Sequence, residues 1–231
     1  MSDAPRARGG TGSRLSSKLK KHRSQHLVYL TGCSLFSLGA TFFIQSDLGA
    51  DPLDVFALGL LEHVPLSIGI AQALVALACL FVWAVWNRRR PPLSPVFTFF
   101  LCGSMIDVLR ASGTAGHVPV SEFALMMLGV LLCTYGSALI IMSGVGIRAM
   151  DLLAISMYHR WRWPFWAAKG SLEILLLGSG YLMGGPTGIG TVCFLIFVDA
   201  LIQPCMRLNA RLFSLQNHGL AQPGVVPSAS A

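Results

Sequence analysis

The sequence predicts an all-α polytopic membrane protein. It would have about six transmembrane helices in two inverted three-helix repeats, each with a short re-entrant or interfacial helix. Three observations lead there. The chain of 231 residues is 54% hydrophobic and only 12% charged, with a mean hydropathy of +0.64. Soluble domains carry roughly 25% charged residues, so the bilayer is the expected solvent. Six stretches approach the ~20 apolar residues that a spanning helix needs: 27–46, 66–87, 93–110, 122–143, 164–184 and 188–206. Finally, the first half of the chain recurs in the second at a constant offset, 151 − 54 = 97.

Residues 1–26 are polar and basic, and read as a mobile cytoplasmic tail. Seven of the seventeen Lys and Arg lie there, between Arg6 and Arg23, and most of the others flank apolar segments. The net charge of +7 is therefore a topology signal rather than a nucleic-acid groove. The transmembrane domain runs over 27–208, with repeat one at 27–110 and repeat two at 122–206, and 209–231 form a second mobile tail. The basic start and apolar core near 20–46 also fit a signal peptide, but the later counterpart of this segment argues for a retained helix.

The first span ends in "SDLGADPLDV", which places Asp47, Asp51 and Asp54 directly after an apolar run. The glycine breaks the helix, and Pro52 suits the first turn of a short helix. Asp51 falls at that helix's N-terminus, where a carboxylate caps and the dipole favours negative charge. "SGVGIRAMDL" repeats the arrangement. Aligning 32–58 with 129–155 matches eight positions: Gly32/Gly129, Leu35/Leu132, Gly39/Gly136, Ile44/Ile141, Ser46/Ser143, Gly49/Gly146, Asp54/Asp151 and Ala57/Ala154. Asp107 and Asp199 end the third span of each half, at an offset of 199 − 107 = 92.

"DPLDVFALGLLEHV" and "RAMDLLAISMYHRW" are too short for comfortable spans. If neither crosses, Arg88–Arg90, Arg148, Arg160, Arg162, Arg207 and Arg211 share the cytoplasmic side with both termini, and Arg110 alone faces out. Three spans per repeat then force the halves into opposite orientations, a transporter design. "NRRRPPLSP" and "GGPTG" read as turns, and "HRWRWPFW" as an interfacial belt with snorkelling arginines.

The chain resembles the YczE/YyaS/YitT group of bacterial integral membrane proteins. The resemblance rests on "IQSDLGADPLDVFALGL", "LSIGIAQALVALACLFVW" and "GSMIDVL", and extends through "GVGIRAMDLLAISM" and "GTVCFLIFVDALI". It covers residues 30 to about 205 and implies a multi-pass cell-membrane protein, with no catalytic residues to carry over.

Carboxylates within a membrane are expensive, and function is their default reading. The candidate substrate- or ion-binding residues are Asp54, Asp107, Asp151, Lys169, Glu173 and Asp199. Lys169 and Glu173, at i and i+4, share one helix face. Gln72 is the offset-97 counterpart of Lys169, so such a site leans toward the second half. The bland alternatives are helix caps for the aspartates and a structural ion pair for Lys169 and Glu173. The six cysteines lie in apolar stretches without CxxC spacing, and no zinc, P-loop or nucleophile-elbow motif occurs. The reading is therefore non-enzymatic, without cofactor, catalytic residue or metal. The expected function is a small secondary transporter or permease, and the alternative is a non-catalytic accessory or scaffold assisting a membrane partner. The expected partners are the lipid bilayer, an unidentified solute or ion and, in the alternative, another membrane protein.

Overall fold

The computed structural model describes residues 10–113 and 120–212. Among them the chain is all-helical, with α1 Gly10–Gln45, α2 Pro52–Leu61, α3 Ile68–Asn87, α4 Ser94–Ala111, α5 Glu122–Ser143, α6 Ala149–Trp161, α7 Phe165–Leu182 and α8 Ile189–Cys193. A π-helical turn, Phe194–Val198, joins α8 to α9, Asp199–Leu212. Helix α1 begins at Gly10, inside the segment assigned to the basic tail. Residues 1–9 and 213–231 of the two tails lie outside the described residues, as do residues 114–119 of the central loop.

Five helical segments are long and apolar enough to cross a membrane: His22–Gln45, Ile68–Asn87, Ser94–Ala111, Glu122–Ser143 and Ile189–Arg211. They coincide with five of the six expected spans. The sixth, 164–184, does form helix α7, but Lys169 and Glu173 lower its hydropathy below that of the other five. Large apolar side chains stand exposed on these helices, among them Phe81, Val85, Phe97 and Leu131, which suits contact with lipid rather than water. The ends of α3 and α6 meet through Trp86 and Trp161, ring centroids 4.9 Å apart, and Arg160 lies 5.6 Å from the Trp86 ring.

The helix breaks follow local chemistry. Helix α1 ends on Asp47 at φ 55° and α5 on Gly144 at φ 66°, both left-handed. These two positions are also 97 apart (144 − 47). Asp tolerates this region through its short side chain, and Gly has no Cβ to clash. The turns that follow are alike. Ser46 Oγ donates to the Phe43 carbonyl at 2.7 Å and Ser143 Oγ to the Ile140 carbonyl at 2.7 Å. Each hydroxyl then accepts a backbone amide two residues on, from Leu48 and Val145.

The most extensive contact is between α1 and α5. Glycines let their backbones touch. A Cβ on Gly32 would sit 3.0 Å from the Gly136 carbonyl oxygen, and one on Gly39 2.8 Å from that of Gly129. The two contacts interchange under the offset of 97. A second exchange pairs the breaks with the last long helices. A Cβ on Gly49 would meet Thr191 Oγ1 at 2.6 Å, and one on Gly146 would meet Thr98 Oγ1 at 2.3 Å. Likewise α2 packs on α7, where Gly180 sits against Phe56, and α3 packs on α6, where Trp83 Nε1 donates to Ser156 Oγ at 2.8 Å. Helix α2 therefore leans on the opposite half of the chain, while α6 packs on both α3 and α7.

Candidate functional site

The short helices bring their acids inward because both begin at a break beside the α1–α5 seam. Asp51 caps α2: its Oδ1 accepts the Asp54 backbone amide at 2.6 Å. Asp54, in the first turn, is fully buried, and its Oδ1 accepts from Gln72 Nε2 of α3 at 2.7 Å. At the start of α6 the pattern differs. Arg148 occupies the capping position, and its Nε donates to Asp151 Oδ2 at 3.0 Å. Its guanidinium also lies 4.7 Å from the centre of the Phe36 ring on α1. An arginine at a helix N-terminus opposes the dipole, so the paired Asp151 is what stabilises it there.

Lys169 of α7 is 1% exposed and donates to both Glu173 Oε1 and Asp199 Oδ1. The π-helical turn lies immediately before Asp199, and such turns recur at functional positions. Arg148, Asp151, Lys169 and Glu173 line a small cavity, together with Asp51. Its ≈ 10 Å³ is about what one water occupies. The contribution from the first half is Asp51 rather than Asp54.

Charge does not balance here. Among the described residues, five buried acids (Asp51, Asp54, Asp151, Glu173, Asp199) face two buried bases (Arg148, Lys169), a formal surplus of 5 − 2 = 3 acids. Among the described residues, four of the acids also carry a buried oxygen without a hydrogen-bond partner: Asp54 Oδ2, Asp151 Oδ1, Glu173 Oε2 and Asp199 Oδ2. Buried charge is tolerated when paired and hydrogen-bonded, so these orphan oxygens are where a ligand or proton would act.

Of the six sequence candidates, the structure brings together Asp151, Lys169, Glu173 and Asp199, with Asp54 one helix away beside Asp51. Asp107 is apart. Both of its oxygens accept backbone amides at the start of α3, from Ile68 at 3.2 Å and Gly69 at 3.1 Å. It follows the capping alternative. Arg148, counted in the sequence as a cytoplasmic loop charge, is 6% exposed and belongs to the buried centre. Its spacing of three from Asp151 was the signal available. A separate groove of ≈ 250 Å³ is lined by Tyr158, His159, Phe165 and Gln203. Phe165 precedes Lys169 by one helical turn and Gln203 follows Asp199 by one.

The sequence signature of DUF6198, a family of unknown function, matches residues 23–207, which include every residue of this centre. The chain belongs to DUF6198. It is 23% identical over 203 residues to the uncharacterized membrane protein YczE of Bacillus subtilis, covering 87% of this chain and 93% of that one. It is 24% identical to YyaS of the same organism over 196 residues, covering 84% and 98%. An uncharacterized protein of Haemophilus influenzae is 24% identical over 185 residues, covering 80% and 84%. The resemblance seen in "IQSDLGADPLDVFALGL" is thus borne out, and this DUF6198 chain is similar to YczE, which is named as a membrane protein, over nearly all of its helical domain. No solved structure matches it.

Proposed function

We propose that the chain is a small secondary transporter for a small polar solute or ion, built as two inverted three-span halves that rock against each other around the buried centre. One observation carries this reading: a charge cluster of five acids and two bases, with unpaired carboxylate oxygens, in a helical membrane protein. Burying such groups is costly and seldom serves stability. Discontinuous helices meeting at mid-depth are a recurring form of transporter site. The interchanging glycine contacts of α1 and α5, and the packing of α2 on α7 and of α6 on α3, support the inverted arrangement. Helix α7 completes six spans in this reading. Lys169 and Glu173 face inward, while Ile174, Leu175 and Leu182 present an apolar outer face. Without Arg148, seven arginines (Arg88–Arg90, Arg160, Arg162, Arg207, Arg211) still favour one side, so both termini are assigned to the cytoplasm of a cell membrane.

A non-catalytic accessory role is the second reading, favoured by Asp107, which is spent on backbone amides. Flux measurements separate the two. Purified protein in liposomes on a solid support should give transient currents with one pool among amines, amino acids, organic acids and monovalent cations. The currents should vanish in Asp151→Asn, a change that keeps an acceptor for Arg148. Wild-type currents no larger than those of empty liposomes for every pool would sink the transporter reading. A stably co-purifying membrane partner would then support the accessory role.

A further inference from the structure

Asp54 differs from the other acids of the centre. It is fully buried, yet none of the buried ion pairs reaches it among the described residues. Among the described residues its side-chain partner is a neutral amide, Gln72 Nε2, on its Oδ1. The other carboxyl oxygen, Oδ2, has no partner among them, and neither has the other end of the same amide, Gln72 Oε1. Two groups that already share one hydrogen bond are thus each left with a buried, idle acceptor. An ionised carboxylate cannot resolve this, because it can only accept. A carboxylic acid can: it donates through one oxygen and accepts through the other, the complement of a carboxamide.

We propose that Asp54 is a proton-binding site, in which a proton on Oδ2 turns the carboxylate–amide contact into a mutual acid–amide pair with Gln72. The proton comes from hydronium, one of whose O–H bonds breaks to leave water, and the new O–H bond on Oδ2 removes one of the surplus negative charges. A metal cation is the competing occupant. Among the described residues, however, no three His, Cys, Asp or Glu side chains come together in a way that would hold one. The surroundings also favour the neutral acid. Asp51 lies next to it with a second carboxylate, and Asp107 of α4 adds another negative group on that side. Cys133 of α5 is a thiol, and the nearby cations are engaged elsewhere: Arg148 with Asp151, Lys169 with Glu173 and Asp199. Arg110 of α4 is exposed. The Gly103 backbone passes close to Gln72, since a Cβ there would come 2.9 Å from its Oε1.

The proposal extends the transporter reading, on which it relies for one point only: that release of this proton accompanies solute movement. Infrared difference spectroscopy tests the site itself. Protein purified in detergent at neutral pH should show the carbonyl stretch of a protonated carboxylic acid. Carbon-13 labelling of aspartate side chains should shift that band in the wild type, which needs no variant to fold. Asp54→Asn should abolish it, Gln72→Leu should move it to the frequency of an acid without a donor on its carbonyl, and Glu173→Gln should leave it in place. Absence of the band in the wild type, failure of the label to shift it, or persistence in Asp54→Asn overturns the proposal. So does a sodium- or potassium-dependent melting shift lost in Asp54→Asn, which would assign the position to a metal cation. An aspartate band that is present in a protein without solute currents would leave the proton site standing and sink the transporter reading instead.

Discussion

Lys169 and Asp199 are joined across α7 and α9, although the same ammonium already serves Glu173 one turn away. One base therefore answers two acids, and the lysine becomes the group whose removal strands the most charge. Lys169→Met should lower stability by about 3–5 kcal/mol, the scale seen when one partner of a buried pair is lost. Adding Glu173→Gln should recover part of this, and adding Asp199→Asn as well should recover more. Melting of the purified proteins in detergent checks the order. A double variant no more stable than the single would mean that the ion pair does not govern the loss.

The α1–α5 seam predicts a contrast between glycines. A Cβ on Gly136 would fall 2.6 Å from the Phe36 amide nitrogen, whereas nothing lies within 4 Å of one on Gly178. Gly136→Ala should cost about 1–3 kcal/mol through overpacking. Gly178→Ala, in the middle of α7, should be neutral or stabilise by up to about 1 kcal/mol through helix propensity. The pair is compared by thermal melting, and equal midpoints would argue against a tight seam.

Asp51 should behave as a cap rather than as a charge. Its Oδ1 accepts the Asp54 amide, and an asparagine oxygen can do the same. Asp51→Asn should stay within about 0.5 kcal/mol of wild type, and Asp51→Ala should lose about 1 kcal/mol. Hydrogen exchange of the first amides of α2, faster in the alanine variant alone, locates the effect.

Topology can be read with single cysteines. In a background without the six native cysteines, residues introduced at Arg90 and Arg162 should react only after the membrane is opened to an impermeant maleimide in whole cells. Residues at Gly113 and Thr187, the latter exposed, should react at once. Labelling of Arg162 and Thr187 from the same side would mean that α7 does not cross.

The sequence revealed more of the architecture than of the site. Asp47, Gly49 and Gly144 announce the two helix breaks, because left-handed turns restrict residue choice. Asp54, Asp151, Lys169, Glu173 and Asp199 stood out because charge is rare in apolar helices. Arg148 did not, because a lone arginine beside a span looks the same whether it snorkels to a headgroup or turns inward to an aspartate. Asp107 stayed ambiguous for a related reason: capping oxygens and ligand oxygens have the same composition, and only the structure shows its oxygens on the Ile68 and Gly69 amides. Gln72 was visible only as the counterpart of Lys169. Its bond to Asp54 joins residues 18 apart on different helices, which no periodicity encodes.

The wide turn at Phe194–Val198 has a consequence for how this chain can change. In an α-helix each residue advances by about 100° around the axis. A π-helical turn takes up one residue more than an α-helical turn, so tightening it to an α-turn with every residue kept would swing Asp199 by about that angle away from Lys169. Deleting one residue from the turn would instead close the bulge and leave Asp199 in phase with the lysine. Helical phase is thus as much a determinant of the centre as the identity of its side chains, and a single-codon deletion at 194–198 should be tolerated by the Lys169–Asp199 pair.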